Sequence, residues 1–209
     1  MPGSSRRKAE PVLFATSNGG KLEEARKILT PFGLSVEQHD GKGVEIQADT
    51  TGEVAVHASR AAAMAAGRPV LVEDAGLYVE SLKGFPGPYS AHAFKTIGVA
   101  GILALLRSSR GRRVDRAAMF VSSVSYCEPQ GEPQLFEGSV PGTIAVSPRG
   151  SKGFGFDPIF LPQGGTKTFG EMTLEEKCVV SHRAVAMRKF AKWYASRGEH
   201  RAGNGFKPG

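Results

Sequence analysis

Two short runs in this chain, Val12-Leu13-Phe14-Ala15 and Val70-Leu71-Val72, are apolar at every position. A strand that faces water on one side alternates apolar and polar residues, so uninterrupted runs predict strands covered on both faces. Such strands need helices above and below. The sequence supplies them: Lys21–Thr30 carries Leu22, Ala25, Ile28 and Leu29 at helical spacing, with Pro31 and Gly33 to stop it. Glu53–Ala66 carries Val54, Ala58, Ala61, Ala62 and Ala65 on one side and closes at Gly67. Leu34–His39 reads as a weaker strand, and Phe94–Leu106 as a helix weakened by Gly98 and Gly101. After this the character changes. Ala117–Cys127 and Leu135–Val146, separated by Pro129-Gln130-Gly131, read as an antiparallel hairpin. Ile159–Leu161 is a short strand, and the last helix runs from about Ser181 to Ala195. Alternating strands and helices with a late hairpin predict an α/β fold with a mixed sheet.

With 209 residues, one domain over 11–195 is expected, between disordered tails at 1–10 and 196–209. No apolar run approaches the roughly 20 residues of a spanning helix, and Met1–Glu10 has no apolar segment of a secretory signal. With two cysteines, Cys127 and Cys178, a cytoplasmic, membrane-free protein is expected. The formal charge of +7 invites a nucleic-acid reading. Its excess, however, lies in the two tails and in Arg107–Arg116, which has no interleaved aromatic residue, so no nucleic-acid partner is expected.

Four stretches can carry chemistry. Thr16-Ser17-Asn18-Gly19-Gly20-Lys21 lies between a strand and a helix, where free N–H groups and the helix dipole favour an anion. The same residues also suit a plain turn, with Ser17 or Asn18 as helix cap. Glu73-Asp74 follows the apolar run Val70–Val72. Two carboxylates at a buried strand's C-terminal end must pair or bind a metal, and Mg²⁺ suits them. Glu45, between Val44 and Ile46, is a further acid in apolar company. In Gly153-Phe154-Gly155-Phe156-Asp157-Pro158, two aromatic residues around a glycine suit a flat base, with Asp157 at its edge; they equally suit a strand facing a core. Glu175-Glu176-Lys177 precedes Ser181-His182-Arg183. The β-branched pair Val179-Val180 predicts a break, with Ser181 capping a helix whose first turn holds His182 and Arg183.

In this order and spacing the stretches FATSNGGK, VEIQ, VLVEDAGL, GFPGPYS, FKTIG, SKGFGFDPIF and TFGEMTLEEK followed by SHR resemble the Ham1-like inosine triphosphate pyrophosphatase family, from about Val12 to Tyr194. The resemblance implies an elongated, two-lobed α/β fold with a mixed central sheet flanked by helices, usually a homodimer. It implies Mg²⁺-dependent hydrolysis of ITP, dITP and XTP to the monophosphate and pyrophosphate. By position, Thr16, Ser17, Asn18, Gly19, Gly20 and Lys21 would hold the triphosphate. Asp74 would accept the proton of water and bind Mg²⁺, with Glu45 and Glu73 assisting at the metal. Phe154, Gly155, Phe156 and Asp157 would contact the base. Lys177, His182 and Arg183 would reach the base or the phosphates. Ala75 stands where the family usually has Ser or Thr, so only its backbone would contribute. The alternative is a catalytically inactive purine-nucleotide-binding module.

Overall fold

The computed structural model describes residues 10–41, 46–107 and 114–203, with side chains to Arg197. Glu45, residues 1–9 of the N-terminal tail, and Arg110, Arg112 and Arg113 of the basic segment lie outside the described residues.

The strands are β1 (Val12–Ala15), β2 (Val36–His39), β3 (Val70–Val79), β4 (Pro86–Gly87), β5 (Ala117–Cys127), β6 (Gln134–Ile144) and β7 (Phe160–Pro162). They form one mixed sheet in the order β2-β1-β3-β5-β6-β7, with β4 added beside β3. β1 runs parallel to β2 and β3, while β5, β6 and β7 pair antiparallel. The helices are α1 (Gly19–Leu29), α2 (Thr51–Ala66), α3 (Ser90–Thr96), α4 (Gly98–Leu105), α5 (Leu174–Val180) and α6 (His182–Gly203). The apolar runs behave as their composition demands. Phe14 and Leu71 face α1 and α6 in one core with Met187 and Phe190, whereas Leu13, Val70 and Val72 face the alanines of α2. A third cluster, built on Leu77, Phe120, Phe160 and Phe169, lies along the far half of β3 and β5.

Three boundaries differ from the sequence reading. β3 does not stop at Glu73-Asp74 but runs on to Val79, because β5 offers a partner at every position from Val70↔Cys127 to Val79↔Ala118. The carboxylates therefore sit in mid-strand and point to opposite faces. The helix expected over Phe94–Leu106 is two helices, one starting at Ser90, broken at Ile97-Gly98, where Gly98 has φ +61°. α6 continues beyond Ala195 to Gly203; Arg197 holds it there by pairing with Glu128 at 2.9 Å and lying 4.8 Å from the Trp193 ring centre. The break before α6 is found at Ser181, after α5 has run through Val179-Val180. Ser181 is extended, and its hydroxyl accepts from the Ala184 N–H at 3.2 Å. A side chain at Gly138 of β6 would meet the His182 carbonyl at 2.3 Å, so the start of α6 rests directly on the sheet.

Candidate active site

Of the described residues expected at the site, Asn18, Lys21, Asp74, Ala75, Phe154–Asp157, Lys177, His182 and Arg183 converge on one cavity. At its edge, Asn18 caps α1, its Oδ1 accepting from the Lys21 N–H at 3.1 Å, and the Thr16 hydroxyl accepts from the Asn18 N–H. The cap reading of this loop is thus realised, and it aims Lys21 inward. Lys21 Nζ donates to the Glu73 carbonyl at 3.0 Å and stands 2.8 Å from Glu73 Oε2 as an ion pair outside hydrogen-bond alignment.

Glu73, expected at the metal, is turned away from the cavity. Its Oε1 accepts from the Ser122 hydroxyl at 2.7 Å and from Arg183 Nε at 3.1 Å, and pairs in charge with Arg183 Nη2 at 3.0 Å. Burial alone would raise its pKa, but the Arg183 guanidinium and the Lys21 ammonium outweigh this and hold the carboxyl well below the usual range. Arg183 Nη1 continues to Glu24 Oε2, and Lys177 Nζ bridges Glu24 Oε1 and Asp157 Oδ2. The result is a buried chain of alternating charge: Lys21, Glu73, Arg183, Glu24, Lys177, Asp157. Burial raises the Glu24 pKa, but Arg183 and Lys177 pull it down further.

Glu24 was not singled out from sequence, although its spacing gives a signal. It lies three residues after Lys21 and four before Ile28, on the inward stripe of α1, where an acid needs a partner.

A cavity of about 240 Å³ is lined by Asn18, Lys21, Asp74, Ala75, Phe154, Gly155, Phe156, Asp157, Lys177, His182 and Arg183. Ser90, Ala91, Phe94, Lys95 and Phe120 complete it; sequence reasoning had not placed these at a site. Thr16, Ser17, Gly19 and Gly20 stand outside this lining. Gly20 is nonetheless essential to its shape, because a Cβ there would strike the Phe154 ring at 2.5 Å. The two phenylalanines do not alternate along a strand. Phe156 buries itself edge-on against Phe94, with ring centres 5.5 Å apart, while Phe154 lies beneath Lys177 (4.7 Å) and Arg183 (5.3 Å).

His182 is buried and stacks on Phe120, with ring centres 4.5 Å apart and planes 7° apart; its Nδ1 has no hydrogen-bond partner among the described residues. Burial, reinforced by Arg183, pushes its pKa well below the usual histidine value, so the ring is neutral. Asp74 stands on the cavity wall, partly exposed. Apart from this cavity, a larger hollow of about 1100 Å³ is lined by Leu106, Arg107, Val114, Arg116 and Ile144 among others. There Arg116 donates to the carbonyls of Leu106, Ile144 and Ala145, which leaves it a structural role.

The arrangement brings aromatic rings, buried donors, a carboxylate and the first turn of α1 to one cavity. The model of the Ham1 family matches residues 12–193. The chain is 50% identical over 183 residues to a dITP/XTP pyrophosphatase of Methanopyrus kandleri, covering 88% of this chain and 95% of that protein. It is 51% identical over 182 residues to one of Thermococcus kodakarensis, covering 87% and 96%. The solved Ham1 protein of Staphylococcus aureus superposes with a TM-score of 0.75 at 31% identity, covering 90% of this chain and all of that one. Shared along nearly the whole described fold, this likeness shows that the chain belongs to the Ham1 family.

Proposed function

We propose that the protein hydrolyses non-standard purine nucleoside triphosphates, dITP, ITP and XTP, to the monophosphate and pyrophosphate. The observation that carries the reading is the single cavity that joins Phe154, His182 and Arg183 to Lys21 and Asp74. The family's curated relatives named dITP/XTP pyrophosphatase point the same way.

In this reading Arg183, oriented by Glu24 and Glu73, and the neutral His182 face the 6-oxo edge of the base. Adenine places a 6-amino donor there, and opposed buried donors are costly. Phe154 packs against the base plane. The first turn of α1 and Lys21 receive phosphate oxygens. Asp74 orients water and takes its proton for attack on the α-phosphorus. The donor set fits Mg²⁺, which binds through one or two carboxylates plus phosphates and water. Asp74 is an oxygen ligand on the cavity wall, with Glu45 as its expected companion. When bound, the ion would neutralise phosphate charge and orient the scissile group.

The proposal extends to a homodimer acting on free nucleotides in the cytoplasm. Two buried, unbonded cysteines and the absence, among the described residues, of any helix able to cross a membrane support that setting. Sedimentation tests the dimer.

The deciding experiment is pyrophosphate release from ITP, XTP, dITP, GTP and ATP, with and without Mg²⁺. Release from the first three is expected, and Asp74→Asn should lower it by about 10²–10⁴-fold. A folded protein that releases none would be a binding module. Equal release from ATP would overturn the roles given to His182 and Arg183.

A further inference from the structure

Among the described residues, the cavity is lined by four permanent cations: Lys21, Lys95, Lys177 and Arg183. Three of them face buried carboxylates. Lys21 meets Glu73, Lys177 meets Glu24 and Asp157, and Arg183 meets Glu24 and Glu73. These groups alternate in sign and balance one another, while Asp74 adds a further negative charge to the wall. A polyphosphate entering this cavity therefore meets little uncompensated positive charge from the residues the sequence suggested. Lys95 differs: it is exposed and makes no hydrogen bond or ion pair with any described residue.

Its backbone is nevertheless fixed. Ser90, Ala91, Phe94 and Lys95 line the cavity at spacings that put them on one face of α3. The Ser90 hydroxyl donates to the Gly87 carbonyl at 2.7 Å and accepts from the Leu77 N–H at 2.8 Å, which pins α3 to β3 and β4. Phe94 meets Phe156 edge-on one position before Lys95. An exposed ammonium on a pinned helix thus lines the cavity, and an oxyanion there gains a charge-assisted hydrogen bond without breaking an existing pair.

We propose that Lys95 is a phosphate-binding residue, the uncompensated cation that meets the polyphosphate of the bound nucleotide. The proposal rests on the nucleotide reading above. It separates two lysines that look equivalent on a lining. Removing Lys21 takes one of the two cations from the buried Glu73 carboxylate and so disturbs the fold. Removing Lys95 strands nothing.

The test is calorimetric titration of ITP and IMP into wild type, Lys95→Ala, Lys95→Arg and the control Lys192→Ala, in EDTA so that no turnover occurs. Lys192 is an exposed lysine of α6 outside the cavity. Lys95→Ala should weaken ITP about tenfold, the magnitude of one charge-assisted hydrogen bond, and IMP less than about twofold. Lys95→Arg should restore most of the loss, and Lys192→Ala should leave both ligands within about twofold. Equal losses on ITP and IMP would place Lys95 at the base or sugar and overturn the proposal, as would an unchanged ITP affinity in Lys95→Ala. Pyrophosphate release by wild type, measured in parallel, keeps the two readings apart. Release with no Lys95 effect removes the lysine alone. No ITP binding and no release removes the nucleotide reading and the lysine with it.

Discussion

His182 combines a site position with a measurable cost. Its ring is buried flat against Phe120, beside the cations Arg183, Lys177 and Lys21 and near the Glu73 carboxylate. Burial and Arg183 hold it neutral in the folded state, while in the unfolded chain it takes a proton near the ordinary histidine pKa of 6.5. A depressed folded pKa gives stability that is complete above that value and is lost as pH falls below it. Between pH 7 and pH 5 the loss is about 2 kcal/mol if the folded ring stays unprotonated throughout. His182→Phe keeps the stacked ring and removes the proton site. Urea unfolding of the variant should therefore lose less stability over that range than wild type, by at most about 2 kcal/mol. Identical pH slopes would show that the folded ring does take up the proton. Glu73 acts in the same direction at lower pH, since its stabilisation fades as pH drops below the usual glutamate range.

At the level of elements, the site depends on where α6 begins. Val179 and Val180 still belong to α5, Ser181 breaks the helical run and caps the next helix, and His182 and Arg183 fall in its first turn. The cap and the residues behind it were legible in the sequence, because caps act locally; the β-branched pair did not itself stop the helix. The hairpin of β5 and β6 was legible for the same reason. What holds α6 in place was not, since it is a contact between distant segments. Gly138 of β6 leaves no room for a Cβ between the strand and the His182 carbonyl, 2.3 Å away, or the Ala186 amide nitrogen, 2.5 Å away. Gly138→Ala must lift the helix start. It should cost about 1–3 kcal/mol in urea unfolding and shift Arg183 against Glu73. Pyrophosphate release should accordingly fall under conditions where the variant is still folded; full activity would show that α6 tolerates the displacement. The length of β3 escaped for a related reason. Glu73-Asp74 looks like a strand end by composition. Only the pairing of β5 across from it, with Ser122 and Arg183 waiting for Glu73, makes an acid tolerable in mid-strand. The role of Glu73 as an anchor could not be read without those partners.

Across the whole molecule, the buried ionic chain ties α1, β3, α5, α6 and the Phe154–Asp157 loop into one unit beneath the cavity. Exposed pairs such as Lys27–Glu175 and Lys167–Glu176 add little stability each, and salt screens them. The buried chain differs because Glu24, Glu73, Asp157, Lys177 and Arg183 are almost wholly removed from water. Removing one leaves a partner charged and desolvated, at a cost of about 3–5 kcal/mol. Glu24 is the informative member, because it alone joins Arg183 to Lys177. Glu24→Gln should destabilise the protein by about that amount, with a midpoint shift in urea that persists at high salt. Lys177→Met alone leaves Glu24 and Asp157 facing one cation fewer and should be comparably costly. Combined, the two changes remove a positive and a negative charge from the same contact. The double variant should therefore lose less than the sum of the singles, by about 1–3 kcal/mol. Strict additivity would mean that Glu24 and Lys177 act independently, and that the cavity floor is held by apolar packing rather than by a coupled charge network.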